Sequence, residues 1–156
     1  MSYLFIGKSG VFETMVVASA MLKEKRDYLD LSYFSDIQLD AEKKPILIGE
    51  APDGRGVYTL GDKEYQITAI MAEELSQLAG ENSRPLAVIP VSVPGDQGTY
   101  LMSKLAMIPL LGRFFYRTCL KRVLNNEDQL LAEGEAYRRH LIHNQHHHQA
   151  AAKPLS

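Results

Sequence analysis

Two rhythms of apolar and polar positions run along this chain. Tyr3 to Ile6 form a short apolar run that passes straight into Gly7-Lys8-Ser9-Gly10 and then into helically spaced apolar residues from Phe12 to Lys23. That order predicts a strand, a tight turn and a helix. From Asp27 to Lys44, charged residues surround an apolar patch at Leu29, Leu31, Tyr33, Phe34 and Ile37, which predicts a short helix laid over the core. Pro45 introduces Ile46-Leu47-Ile48, and a loop holding Asp53-Gly54-Arg55-Gly56 separates it from Val57-Tyr58-Thr59-Leu60, ended by Gly61. These read as two short strands joined by a glycine-rich turn.

The rhythm then returns to the helical one. Glu64 to Ala79 carries Ile67, Ile70, Met71, Leu75 and Leu78 at helical spacing, with Gly80 as the stop signal. Leu86-Ala87-Val88-Ile89, after Pro85 and before Pro90 and Pro94, reads as an interior strand because it lacks a polar side. A loop with Gly95, Asp96 and Gly98 leads to an apolar helix from about Thr99, interrupted at Pro109 and Gly112 and resumed from Arg113 to Leu124. Glu127 to Leu141 reads as a terminal helix. Strands alternating with helices in this order predict one α/β domain over residues 1–142, a small mixed sheet of about four strands flanked by helices. Residues 143–156 are expected to form a polar, histidine-rich, disordered tail.

Composition narrows the function classes only a little. At 156 residues, with 46% hydrophobic and 23% charged residues, the chain can build one core without metal or disulfide. A net charge of −2 argues against bulk attraction to nucleic acid. Cys119 is the single cysteine, so no intramolecular disulfide forms, in keeping with a reducing cytosol. The first apolar stretch has no basic region before it and ends at Gly7, which predicts no export signal, and Tyr100 to Leu111 is too short to cross a bilayer. A cytoplasmic protein is the expectation.

Candidate chemistry centres on the first turn. A strand leading through glycines into a helix aims backbone N–H groups and a positive dipole end at one point, where a phosphate can sit. Lys8 would add charge, Gly7 and Gly10 close backbone approach, and Ser9 and Thr14 hydroxyls. The common nucleotide-hydrolase loop is not present, because it needs a glycine where Ser2 stands. Glu13 opposes the anion reading, since a carboxylate in the first turn itself satisfies the helix dipole. Asp96, with Gln97 and Thr99, approaches this turn if the first and fourth strands are parallel neighbours. The leading expectation is non-catalytic binding of a phosphate-bearing small molecule at Gly7, Lys8, Ser9, Gly10, Thr14 and Asp96, with no cofactor and no metal.

A second candidate is electrostatic. No acidic residue lies between Asp96 and Glu127, whereas Lys104, Arg113, Arg117, Lys121 and Arg122 do. On the later helix these cations flank an apolar arc, which suits docking on a protein partner or an anionic membrane surface, or homodimerisation through surplus apolar surface. A third reading, a phosphotransferase or hydrolase, would assemble Lys8, Glu13, Glu50 and Asp96. His140, His143, His146, His147 and His148 all lie late in the chain. They have no cysteine or carboxylate partner at suitable spacing, so they read as solvated rather than as ligands or a catalytic trio.

Several segments together resemble an uncharacterised family of small α/β proteins from spore-forming Firmicutes. They are Ser9 to Ala20, Ser32 to Phe34, Ile48 to Gly61 and Leu101 to Phe115; the most telling are the Ile48-Gly49-Glu50 to Asp53-Gly54 pattern followed by Val57-Tyr58-Thr59-Leu60-Gly61, and the late Leu- and Met-rich helix ending near Leu111-Gly112. The family's first turn carries a histidine and small hydroxyl residues. Here only Gly10 and Thr14 match that turn, and Phe12 and Glu13 stand in place of the histidine and a hydroxyl. The resemblance implies an α/β fold and a bacterial cytosolic setting, in a divergent member whose turn is altered, and it supplies no activity.

Overall fold

A computed structural model of the chain describes residues 2–22, 27–78 and 86–151, with side chains as far as His140. The strands are β1 (Ser2–Gly7), β2 (Ile46–Glu50), β3 (Gly56–Gly61) and β4 (Leu86–Pro90). The helices are α1 (Glu13–Ser19), α2 (Ile37–Ala41), α3 (Tyr65–Leu78), α4 (Asp96–Leu105), α5 (Gly112–Asn125) and α6 (Glu127–Ala151), with a 3-10 turn at Tyr28–Asp30. The expected class, a single small α/β domain on a four-stranded mixed sheet, is the one observed.

The sheet order is β2-β3-β1-β4. β1 lies parallel to both β3 and β4, and β2 closes one edge antiparallel to β3. β1 is therefore central, and Phe5 and Ile6 are fully buried on its two faces. Phe5 joins the larger core with Phe12, Met15, Val16, Cys119, Val123 and Leu130, beneath α1, α5 and α6. Leu4 and Ile6 join Tyr65 and Ala69 beneath α3 on the other face. Burial of such side chains stabilises by roughly 1.5–3 kcal/mol each, so the larger core dominates the fold. Gly134 lets α6 reach α1 closely, because a Cβ there would meet the Val17 carbonyl.

Three expectations change. β4 reads as an interior strand but is an edge strand, half-buried along most of its length. Its apolar composition follows from being covered on both faces, by α3 on one side and the larger core on the other. α3 shows the expected spacing, yet Ile67, Ile70, Met71, Leu75 and Leu78 face solvent while Tyr65, Ala69, Ala72 and Ser76 face the sheet. The small residues permit close helix-to-sheet packing, and the Ser76 hydroxyl accepts from the Leu86 amide at 2.9 Å. α6 continues helical past Leu141 to Ala151. Gly80, and the side chains of the last four histidines, lie outside the described residues.

Candidate functional site at the carboxyl edge of the sheet

β1 and β3 end side by side, Gly7 opposite Gly61, yet their chains turn to opposite faces: β1 leads to α1 over the larger core and β3 leads to α3 over the smaller one. In open α/β sheets a crevice opens where neighbouring connections diverge in this way. Here it holds about 250 Å³ and is lined by Lys8, Lys63, Glu64 and the first turn of α3, from Tyr65 to Ile67. Asp62 precedes that helix and ties its start together, accepting from the Glu64 amide at 3.3 Å and from the Thr68 hydroxyl at 2.6 Å. The Thr68 hydrogen bond above all holds the Asp62 carboxyl below its ordinary range.

The turn after β1 is closed rather than open. Asp40, buried at the end of α2, accepts from the Gly10 amide at 2.7 Å and so occupies the position an incoming anion would take. A Cβ on Gly61 would collide with that carboxylate, so the two glycines and Asp40 form one close-packed bracket. Burial pushes the Asp40 carboxyl above its ordinary range against the pull of the Gly10 amide, the Ser9 hydroxyl and the Lys104 charge. Ser9 is buried and its hydroxyl accepts from the Val11 amide at 3.4 Å, within the turn. Thr14 is buried against Gly7, and α1, at seven residues, begins at Glu13, with Phe12 at its N-cap and no side-chain cap. The phosphate nest expected at Gly7, Ser9, Gly10 and Thr14 is thus filled by the protein's own carboxylate.

Lys8 and Asp96 do meet, as parallel pairing of β1 with β4 brings them together. Lys8 Nζ donates to Asp96 Oδ1 at 2.9 Å, with both side chains largely covered. Glu13 sits behind this pair, buried near Thr99. Burial pushes its carboxyl up and Asp96 adds to the rise, while Thr99, its own amide and Arg122 oppose it. Arg122 parts from the other basic residues here: its guanidinium lies against Gly98, where a Cβ would come within 2.7 Å of it. Arg113, Arg117 and Lys121 are exposed on α5, and Lys104 rests over the Tyr100 ring at 5.3 Å.

Glu13 gives a pH prediction with a fixed sign. Its folded pKa is raised, so the folded state holds the proton more tightly, and stability falls as pH rises from the ordinary carboxylate pKa through the folded one. Glu13→Gln is expected to be more favourable, relative to the natural chain, at pH 7 than at pH 4. Urea unfolding midpoints at both pH values check it, and an equal effect at the two would show that Glu13 has no raised pKa.

Other candidates lie elsewhere. Glu50 ends β2 opposite Gly56, the start of β3, roughly 17 Å along that strand from the crevice. The third reading's set is therefore split. At the same amino edge Asp53 accepts from the Tyr3 hydroxyl at 2.5 Å and pairs with Arg55, which latches the β2–β3 loop onto β1. Cys119 donates to the Thr99 carbonyl at 3.5 Å, and burial pushes its thiol up to about 11, so it is a protonated core group at neutral pH. Among the described residues no group of three His, Cys, Asp or Glu side chains is placed to hold a metal, and no helix is long and apolar enough to cross a membrane.

Sequence reasoning missed Asp40 and Lys63. Asp40 lies thirty positions from Gly10 and carries no local signal of the contact. Lys63 had one, because Gly61-Asp62-Lys63 repeats the strand, turn, helix logic of Gly7-Lys8-Ser9 one strand over. Compared with known proteins, the chain matches no family model, no curated protein and no solved structure, so the chemistry of the crevice must carry the functional reading.

Proposed function

We propose that this chain binds a small phosphate-bearing molecule, without transforming it, in the crevice between the carboxyl ends of β1 and β3. The observation that carries the reading is the pair of lysines, Lys8 and Lys63, flanking the first turn of a fourteen-residue helix. The positive end of that helix and two ammonium groups favour an anion at one point. An ammonium has three donors, and Asp96 takes one of those on Lys8. Glu64 on the rim, Asp62 at the helix start and Asp96 beside Lys8 all oppose an anion, so binding rests on both lysines acting together with the positive helix start.

Its volume suits a phosphate or a phosphorylated small molecule rather than a dinucleotide, given the 300–1,000 Å³ or so of typical drug-sized pockets. Binding is favoured over turnover because the nearby hydroxyls of Ser9 and Thr14 are buried in the turn and the Cys119 thiol is protonated. A cytosolic setting and divergent membership of the Firmicutes family belong to the same proposal. The unpaired, buried Cys119 agrees with the first, and the bracketed turn with a family site that has changed its use.

Thermal unfolding in the presence of inorganic phosphate, sugar phosphates and mononucleotides tests it. A ligand at 100 times its Kd adds about 2.7 kcal/mol, which in a chain of this size raises Tm by roughly 5–10 °C. Lys63→Ala should weaken that ligand about 10-fold through the loss of one charge-assisted hydrogen bond. If none of these compounds raises Tm, or if Lys63→Ala and Lys8→Ala leave affinity unchanged, the reading fails.

A further inference from the structure

α4 and α5 form a helical hairpin whose tip breaks the usual pattern of a protein surface. Met107, Ile108, Pro109, Leu110 and Leu111 follow one another there, all exposed, with Leu110 96% accessible, and Phe114 on the next turn is 68% accessible. Consecutive exposed aliphatic residues at a turn are costly in water and call for an apolar environment. Gly112 closes the tip, packing on the Ala106 carbonyl while its amide donates to the Ile108 carbonyl at 2.8 Å. Ordinary loop chemistry would place glycine, asparagine or serine here; the sequence instead places four large aliphatic side chains.

Charge identifies what the tip meets. Arg113, Arg117 and Lys121 recur every four residues along the exposed side of α5, and Leu124 shares that side. Lys104 stands on the last turn of α4, and no acidic residue occurs between Asp96 and Glu127. An apolar tip continued by a basic stripe along α5 complements a surface that is anionic outside and apolar beneath, the combination a phospholipid headgroup layer offers. An acidic protein surface would match the stripe but would leave Leu110 and Leu111 in contact with charge.

We propose that the α4–α5 hairpin docks this protein peripherally on an anionic bilayer, with Met107 to Leu111 and Phe114 entering the headgroup boundary and Arg113, Arg117 and Lys121 contacting lipid phosphates. The hairpin tip and the Lys8–Lys63 crevice share no residue, so the inference does not depend on the ligand reading. Arg122, turned inward onto Gly98, takes no part.

Sedimentation of the full chain with vesicles tests this, using phosphatidylcholine alone and equal parts of phosphatidylcholine and phosphatidylglycerol. Binding is expected only to the anionic vesicles and should fall with added salt. Arg113→Ala with Arg117→Ala should bind about 30-fold more weakly, the loss of two basic residues at about 1 kcal/mol each. Leu110→Asp with Leu111→Asp should abolish binding with little change in Tm, because Leu110 is 96% accessible and the half-exposed Leu111 stands at the N-cap of α5, where aspartate is a favoured residue. The chain has no tryptophan, so Leu110→Trp provides a single fluorescent reporter, expected to shift to the blue on anionic vesicles. Leu75→Asp, on the apolar outer side of α3, is the control and should bind as the natural chain does. Failure to sediment with anionic vesicles at low salt overturns the proposal. So does binding that survives the Leu110 and Leu111 changes, or that is lost in the α3 control.

Discussion

Gly10→Ala is expected to cost about 3 kcal/mol or more of stability, at the upper end of what overpacking a tight site costs. A Cβ at this position would lie 2.7 Å from the Gly61 amide nitrogen and 3.0 Å from the Leu60 carbonyl carbon. Both are backbone atoms of β3, which is pinned between β1 and β2 and cannot move aside as a flexible side chain would. The substitution must therefore open the gap between the β1 turn and β3, and with it the bracket that places Lys8 on the crevice. The urea midpoint reports the loss, and a change below about 1 kcal/mol would mean that the two backbones are not in contact. Gly54→Ala is the comparison: no atom lies within 4 Å of its Cβ position, so any cost there comes from its positive φ of 77° alone.

The second large effect is expected at Asp40, where two substitutions separate the hydrogen bond from the charge. Asp40→Ala removes the acceptor of the Gly10 amide and leaves a buried donor without a partner, a loss of about 2 kcal/mol. Asp40→Asn keeps an oxygen in the same place and removes a charge that burial disfavours, so at pH 7 it should be close to neutral. Because the folded pKa of Asp40 is raised, the charged form subtracts stability as pH rises through that pKa. The advantage of Asn over the natural residue therefore grows from pH 4 to pH 7. Equal losses for the two variants would instead show that the charge itself is needed, through Lys104.

The bracket also explains how a turn can keep the sequence appearance of an anion site without an open one. Glycines, a lysine and hydroxyls after a strand satisfy the local requirements for holding a phosphate. Whether the amides are available depends on Asp40, a residue thirty positions later in the chain. One strand over, the similar junction at Gly61-Asp62-Lys63 keeps its helix start on the crevice. The proposed ligand site is thus the neighbour of the one the sequence singled out, with Lys8 shared between them.

Much of the fold was legible because it rests on local periodicity. Four strands, the main helices and the break at Pro109 and Gly112 follow from apolar spacing and from glycine and proline positions. The approach of Asp96 to Lys8 followed from a single assumption, parallel pairing of β1 and β4, which the sheet satisfies. Periodicity marks a helix but not the direction its apolar side faces. For that reason the spacing of Ile67, Ile70, Met71, Leu75 and Leu78 identified α3 and still did not show that these residues point to water. In the same way the run Leu86 to Ile89 identified a strand covered on both faces but not its place at the sheet edge.

What the amino-acid order determined by itself was the class of the domain, the positions of its elements and the basic, apolar character of the α4–α5 hairpin, all properties of neighbouring residues. Tertiary structure alone decided that Asp40 fills the first turn, that Lys63 joins Lys8 across a crevice, that Arg122 turns inward, and that Leu110 stands in solvent. Those outcomes depend on which strands pair and which faces the crossovers cover, and such long-range contacts leave no periodic trace in the chain.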